Sequence, residues 1–180
     1  MRTAARADAA AGESQLNERL RPDAVAVVVI RGAGEGAETL LLRRGGGAFA
    51  GAWTVVMGGV EHGERGTDAA LRELGEETSL TPSAFYTAGE LDAFYDPVRD
   101  RIVHVAFFVA YVEPGDVVLE AGVHDEYRWA GFDDAATMLE FPAQRRVLGE
   151  VRRAFVEREP ARWRRLPRPG GERDAGTNPE

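Results

Sequence analysis

The sequence predicts a single α/β domain, a mixed sheet with helices packed against it. Apolar runs of strand length stand at Ala24–Arg31 and 102–112, and helical spacing governs 68–78 and 142–157. Strands and helices mix without a steady βαβ alternation, which points to a mixed sheet rather than a doubly wound parallel one. A length of 180 residues, 44% of them hydrophobic, suits one packed core.

Taken in order, Ala24–Arg31 (AVAVVVIR) is β-branched and reads as a buried strand. A Gly-rich turn at 32–38 leads to the partner strand of a hairpin at 39–44. The stretch GGGAFAG then separates it from a strand at 53–57 and a second glycine turn. The helix at 68–78 is followed by strands at 85–95 and 102–112 around a turn at 96–101. A short strand at 127–130 precedes a short helix at 133–139, with Asp133 as the expected cap. The longer helix at 142–157 has Pro142 in its first turn. The folded domain is expected at 22–159, between an Ala-rich tail at 1–21 and a Pro- and Gly-rich tail at 160–180 from which Trp163 and Leu166 are the residues suited to dock back.

Composition removes several chemistries. All 22 basic residues are Arg, so mechanisms that need a lysine amine are out. Cys is absent, which excludes disulfides and thiol chemistry, and His62, His104 and His124 form no close-spaced zinc pair. A net charge of -8 disfavours stable nucleic-acid or membrane binding. No apolar leader or membrane-length run is visible, so a cytoplasmic location is expected. Carboxylate chemistry survives, and carboxylates bind phosphates once they recruit a divalent cation.

Residues 53–80, WTVVMGGVEHGERGTDAALRELGEETSL, concentrate that chemistry. At about 100° per residue, Glu73, Glu76 and Glu77 share one edge of the helix while Leu71, Leu74 and Thr78 form the adjoining apolar face. Like charges three and four residues apart repel, and Arg72 is the one cation within the helix near enough to pair. A hard cation such as Mg²⁺ or Mn²⁺ would relieve the repulsion. Gly58, Gly59 and Gly63 allow a tight turn over the helix start, and Glu64 sits in the connecting loop, placed either to join the cluster or to pair with Arg72.

The spacing G-x5-E-x7-R-E-U-x-E-E-x-G-U, with U apolar, resembles the signature of the Nudix hydrolases. Gly58, Glu64, Arg72, Glu73, Leu74, Glu76, Glu77 and Leu80 match, and Ser79 replaces the glycine that serves the turn leaving the helix. The resemblance implies a Nudix fold, an α/β/α sandwich, and Mg²⁺- or Mn²⁺-dependent hydrolysis of a nucleoside diphosphate linked to a further group. It implies that Glu73, Glu76 and Glu77 hold the metals, with the Gly58 carbonyl as a further ligand. Arg72 would orient a glutamate, and a helix glutamate or Glu64 would take the proton of the attacking water.

The arrangement around WTVVMGGVEHGE and the block HDEYRWAGFDDAATMLEFPAQRRVLGEV are similar to dihydroneopterin triphosphate and deoxynucleoside triphosphate pyrophosphohydrolases. Diadenosine tetraphosphate hydrolases share a weaker version, so a diadenosine polyphosphate hydrolase is one alternative and a catalytically silent ligand-sensing module another. The expected partner is a small phosphoanhydride. Dimers are common in the family, leaving a homodimer open, though no seam in this sequence demands one. Val123 stands where the family has a metal-binding Glu, and Asp125, Glu126 or Glu120 are the replacements at hand. Arg43 and Arg44, able to fork onto phosphate, Trp53, able to stack on a base or pterin, and His124 are the expected substrate contacts.

Overall fold

A computed structural model describes residues 21–167. The parts of the expected tails at 1–20 and 168–180 lie outside the described residues. Strand β1 (Ala24–Arg31) runs through the middle of the sheet, parallel to β6 (Arg101–Tyr111) and antiparallel to β2 (Glu38–Arg44) and β4 (Val56–Gly59). Its alternate faces feed two different cores, which is why six consecutive residues are buried rather than every second one. Val25, Val27 and Val29 pack with Leu40, Leu42 and, from helix α1 (Gly66–Thr78), Ala69, Ala70 and Leu74. Ala26, Val28 and Ile30 face the opposite layer, built from α2 (Phe132–Met138) and α3 (Pro142–Val151) through Ala135, Val147, Leu148 and Val151. The result is the expected α/β/α sandwich around a mixed sheet.

The order across the sheet is β3 (Trp53–Thr54), β2, β1, β6 and β5 (Ala84–Asp96), with β4 on β1 and β7 (His124–Gly131) on β2. The expected strand at 53–57 is two strands because the chain changes partner at Val55. β3 pairs with β2 and β4 pairs with β1. Buried Gln144 of α3 secures that switch, accepting the Val55 N–H at 3.2 Å and donating from Nε2 to Thr54 Oγ1 at 2.8 Å. Strand β7 begins earlier than expected, at His124, because its pairing with β2 continues past a register shift between Arg43 and Arg44.

The helix ends depart from expectation in two places. Gly131, not Asp133, precedes α2, and Asp133 lies in the first turn without a side-chain capping bond. The helix expected to reach 157 ends as α-helix at Val151 and opens into a wider turn over Arg152–Val156. Tyr111 donates its hydroxyl to the Phe155 carbonyl in that turn. Farther on, the Leu166 N–H bonds to the Phe85 carbonyl at 2.8 Å, so the chain at 162–167 lies against β5, with Leu166 packed on the core and Trp163 exposed.

Ser79 closes α1 in the left-handed region (φ 57°), its N–H bonded to the Gly75 carbonyl. Ser79→Gly is therefore expected to raise unfolding stability by roughly 1 kcal/mol in urea titrations. Burial pushes the Tyr111 phenol up to about 12, with Tyr86 adding to the shift. A raised folded pKa stabilises fully below the unfolded value of about 10 and is lost as pH rises through the folded one. Denaturation at pH 9 and pH 11 should thus show a smaller alkaline loss in Tyr111→Phe than in the parent.

Candidate active site

Helix α1 turns Ala69, Ala70, Leu74 and Thr78 into the core, which leaves Arg72, Glu73 and Glu76 on its outer edge beside the β4 glycines. The Arg72 guanidinium organises that edge. Its Nε and NH2 donate to both oxygens of Glu64 at 3.0 Å. NH1 donates to Glu73 Oε1 at 2.7 Å and to Glu76 Oε2 at 2.9 Å, while NH2 also reaches the Gly59 carbonyl at 2.9 Å. All the N–H donors of the fork are committed. Repulsion within the glutamate edge costs about 0.2–0.5 kcal/mol per pair. Arg72 opposes that repulsion with charge-assisted hydrogen bonds to three of the carboxylates at once.

The carboxylates differ in how tightly they are held. Glu64 Oε2 also accepts the Glu61 N–H at 2.9 Å, and Arg72 first, then that amide, keeps the Glu64 carboxyl below the usual range. Burial raises the Glu73 carboxyl, with Arg72 opposing and Glu77 and Glu76 adding to the rise. Arg72 is held above the ordinary arginine value, chiefly by Glu64. Glu77 points the other way, into the protein, at 4% exposure. Its Oε2 accepts the Met57 N–H at 3.2 Å, and its Oε1 lies 3.1 Å from Nε2 of buried His124. That leaves Glu73 Oε2 and Glu76 Oε1 as the helix-edge oxygens without a protein partner among the described residues.

The structure thus brings together Gly58, Glu64, Arg72, Glu73, Glu76 and Glu77, and it adds His124 from β7. It does so without a preformed chelate: among the described residues no three His, Asp or Glu side chains converge as a cation site. The donor chemistry nevertheless fits a hard divalent cation, since four carboxylates face one guanidinium and one imidazole.

The other candidates separate. Arg43 is matched by Asp125 at 2.7 Å and Glu126 at 3.1 Å, so two of the three acidic residues at hand to replace a ligand at Val123 are engaged with it. Arg44 is half-buried, and its Nε is buried with no hydrogen-bond partner among the described residues. Trp53 is half-buried at the core edge with the Arg128 guanidinium 5.5 Å over its ring. The His124 side chain is 1% exposed and faces Glu77, not solvent. Sequence reasoning missed the Gly59 carbonyl and the Met57 and Glu61 amides, because backbone groups leave no residue-type signal. It also missed the His124–Glu77 contact, whose hint was the place of His124 in the shared C-terminal block.

A sandwich of this kind recurs among solved structures. The chain superposes on an Ap4A hydrolase from C. elegans with a TM-score of 0.60, at 24% identity, covering 71% of this chain and 92% of that one. Dihydroneopterin triphosphate pyrophosphohydrolase from E. coli gives a TM-score of 0.55 at 22% identity, covering 70% and 92%. These likenesses establish the fold. The NUDIX domain profile matches residues 20–151, and the chain belongs to the NUDIX hydrolase family. Among sequence relatives, the bis(5'-nucleosyl)-tetraphosphatase of Rattus norvegicus is 31% identical over 103 residues, 54% of this chain and 68% of that protein. An octanoyltransferase of Myxococcus xanthus is 32% identical over 127 residues, and the match takes in 69% of this chain but spans only 35% of that protein.

Gly58 gives the site a measurable signature. A Cβ there would stand 1.9 Å from Glu73 Cδ, so the carboxylate occupies the space any other residue needs. Gly58→Ala is expected to push the Glu73 carboxylate off Arg72 and to destabilise by about 0.2–1 kcal/mol. In a Glu73→Ala background the cost should fall toward zero, a non-additivity that urea unfolding of the four proteins reads directly.

Proposed function

We propose that this protein is a pyrophosphohydrolase that cleaves a nucleoside or pterin triphosphate, or a related nucleoside diphosphate compound, by attack of water on phosphorus with Mg²⁺ or Mn²⁺. The observation that carries this reading is the set of three glutamates drawn onto one guanidinium beside a glycine turn, with Glu77 behind them on His124. Glu73, Glu76, Glu77 and the Gly58 carbonyl would hold the cation. When bound, it supplies neutralisation of the phosphoanhydride oxygens and acidifies water.

The protein's own groups do the rest. Arg72 keeps Glu64, Glu73 and Glu76 in mutual register and, with its donors committed, acts through them rather than on substrate. Glu64 and Glu77 each have both oxygens engaged. Glu73 Oε2 and Glu76 Oε1 remain without a protein partner among the described residues, so one of them would take the proton of the attacking water while the other meets the cation. Displacement is in line, and no covalent enzyme intermediate forms. Of the two candidate arginines, Arg44 is the better phosphate contact, because Asp125 and Glu126 already balance Arg43.

A second reading, cleavage of a dinucleoside tetraphosphate, is favoured by the name of the rat relative. Incubation with Mg²⁺ and a panel of deoxynucleoside triphosphates, dihydroneopterin triphosphate and diadenosine tetraphosphate separates the two, with release of pyrophosphate expected from the triphosphates. Thermal stabilisation by a nucleotide with no turnover of any would replace the enzyme with a ligand sensor. Glu77→Gln is expected to lower turnover by roughly 100-fold or more while the far-ultraviolet circular dichroism stays unchanged. Retained turnover would remove Glu77 from the metal set.

A further inference from the structure

We propose that His124 is a positioning residue for Glu77, setting the direction in which that carboxylate meets a divalent cation. The inference rests on the hydrolase reading above and assigns His124 a place in it other than substrate contact. The ring cannot touch substrate from where it stands, since its side chain is 1% exposed and that of Glu77 5%.

A carboxylate buried to that degree requires partners on its oxygens. Glu77 has two of different kinds: the Met57 N–H of β4 at Oε2, and His124 Nε2, 3.1 Å from Oε1. The second contact is at ion-pair distance but oblique for a hydrogen bond, so the position of the ring, more than a single aligned bond, fixes where Oε1 lies. That position is itself over-determined. His124 pairs with Arg44 just past the register shift of β2 and β7. On one side the Val123 carbonyl accepts the Gly45 N–H at 2.9 Å, and on the other Asp125 is tied to Arg43. The ring then lies between two acceptors, the Arg43 carbonyl 3.3 Å from Nδ1 and the Glu77 carboxylate. Strand β2 thereby reaches the helix glutamate through one imidazole. Groups that support a metal-binding carboxylate from behind typically change metal affinity or activity 10- to 100-fold, by about that factor when removed.

The test is Mn²⁺ binding, read by electron paramagnetic resonance without substrate, together with steady-state kinetics and thermal melts. H124A is expected to weaken Mn²⁺ binding about 10- to 100-fold and to lower kcat, with KM for the nucleotide little changed. H124Q, which returns a polar N–H group to the space beside Oε1, should recover part of the affinity, a rescue that a merely space-filling role would not give. If H124A does not fold, His124→Leu, which fills the volume without a polar atom, is measured in its place. Wild-type affinity in folded H124A or H124L overturns the inference alone. Nitrogen coupling to wild-type-bound Mn²⁺ in pulsed spectra also overturns it, by making the ring a direct ligand. A parent protein that neither binds Mn²⁺ nor turns over any substrate of the panel overturns the hydrolase reading, and this inference with it.

Discussion

Everything at the outer edge of α1 depends on Arg72. Without a cation there, Glu64, Glu73 and Glu76 would spread their charge into solvent, and the tight approach of the Glu73 carboxylate to Gly58 would have nothing to hold it. The guanidinium suits the task because its donors lie in one plane and radiate in several directions, which an ammonium cannot imitate. One direction takes both oxygens of Glu64, another takes Glu73 and Glu76, and the last takes the Gly59 carbonyl. Loop, helix and strand are therefore joined at a single side chain. An all-Arg basic composition is no oddity at such a position.

The sheet explains why that junction can be rigid. β1 is buried on both faces and pairs with β4 at its start and β2 at its end. The strand that carries Gly58 and the strand that carries Arg43 and Arg44 are thus both anchored to the most buried element of the fold. Leu74 packs α1 onto the same strand through Val25, Val27 and Val29. Helix edge and glycine turn share one support, so their separation is set by core packing rather than by loop conformation.

Much of this was legible in the amino-acid sequence, for reasons that differ by element. β1 announces itself by unbroken β-branched residues, and its boundaries match the expectation at both ends. The carboxylate edge was legible in part: Arg72, Glu73 and Glu76 share it as helical spacing implies, whereas Glu77, expected on the same edge, turns inward to the Met57 amide and His124. The split of residues 53–59 into β3 and β4 was not, since Gln144, nearly ninety residues away, takes the Val55 amide. The early end of α3 was hidden for a similar reason: helical spacing continues through 157, while the backbone widens at Arg152–Val156. The state of Arg43 was equally out of reach. Two adjacent arginines look alike in sequence, and the register shift between them gives one a pair of carboxylates and the other none.

That asymmetry bears on how a chain of net charge -8 meets a polyanion. Of the arginines near the cluster, Arg72 spends its charge on glutamates and Arg43 on Asp125 and Glu126. Arg44 alone among these three has no ion-pair partner among the described residues. On the proposed reading, most of the attraction for phosphate must then come from bound divalent cations and little from side chains. Affinity for substrate and affinity for metal would be two faces of one equilibrium, because charge that the protein lacks is supplied only when the carboxylates are filled. The glutamates are accordingly not a burden that the fold tolerates for the sake of the reaction. On the proposed reading they would make the polyanion's binding conditional on the ion that activates its hydrolysis.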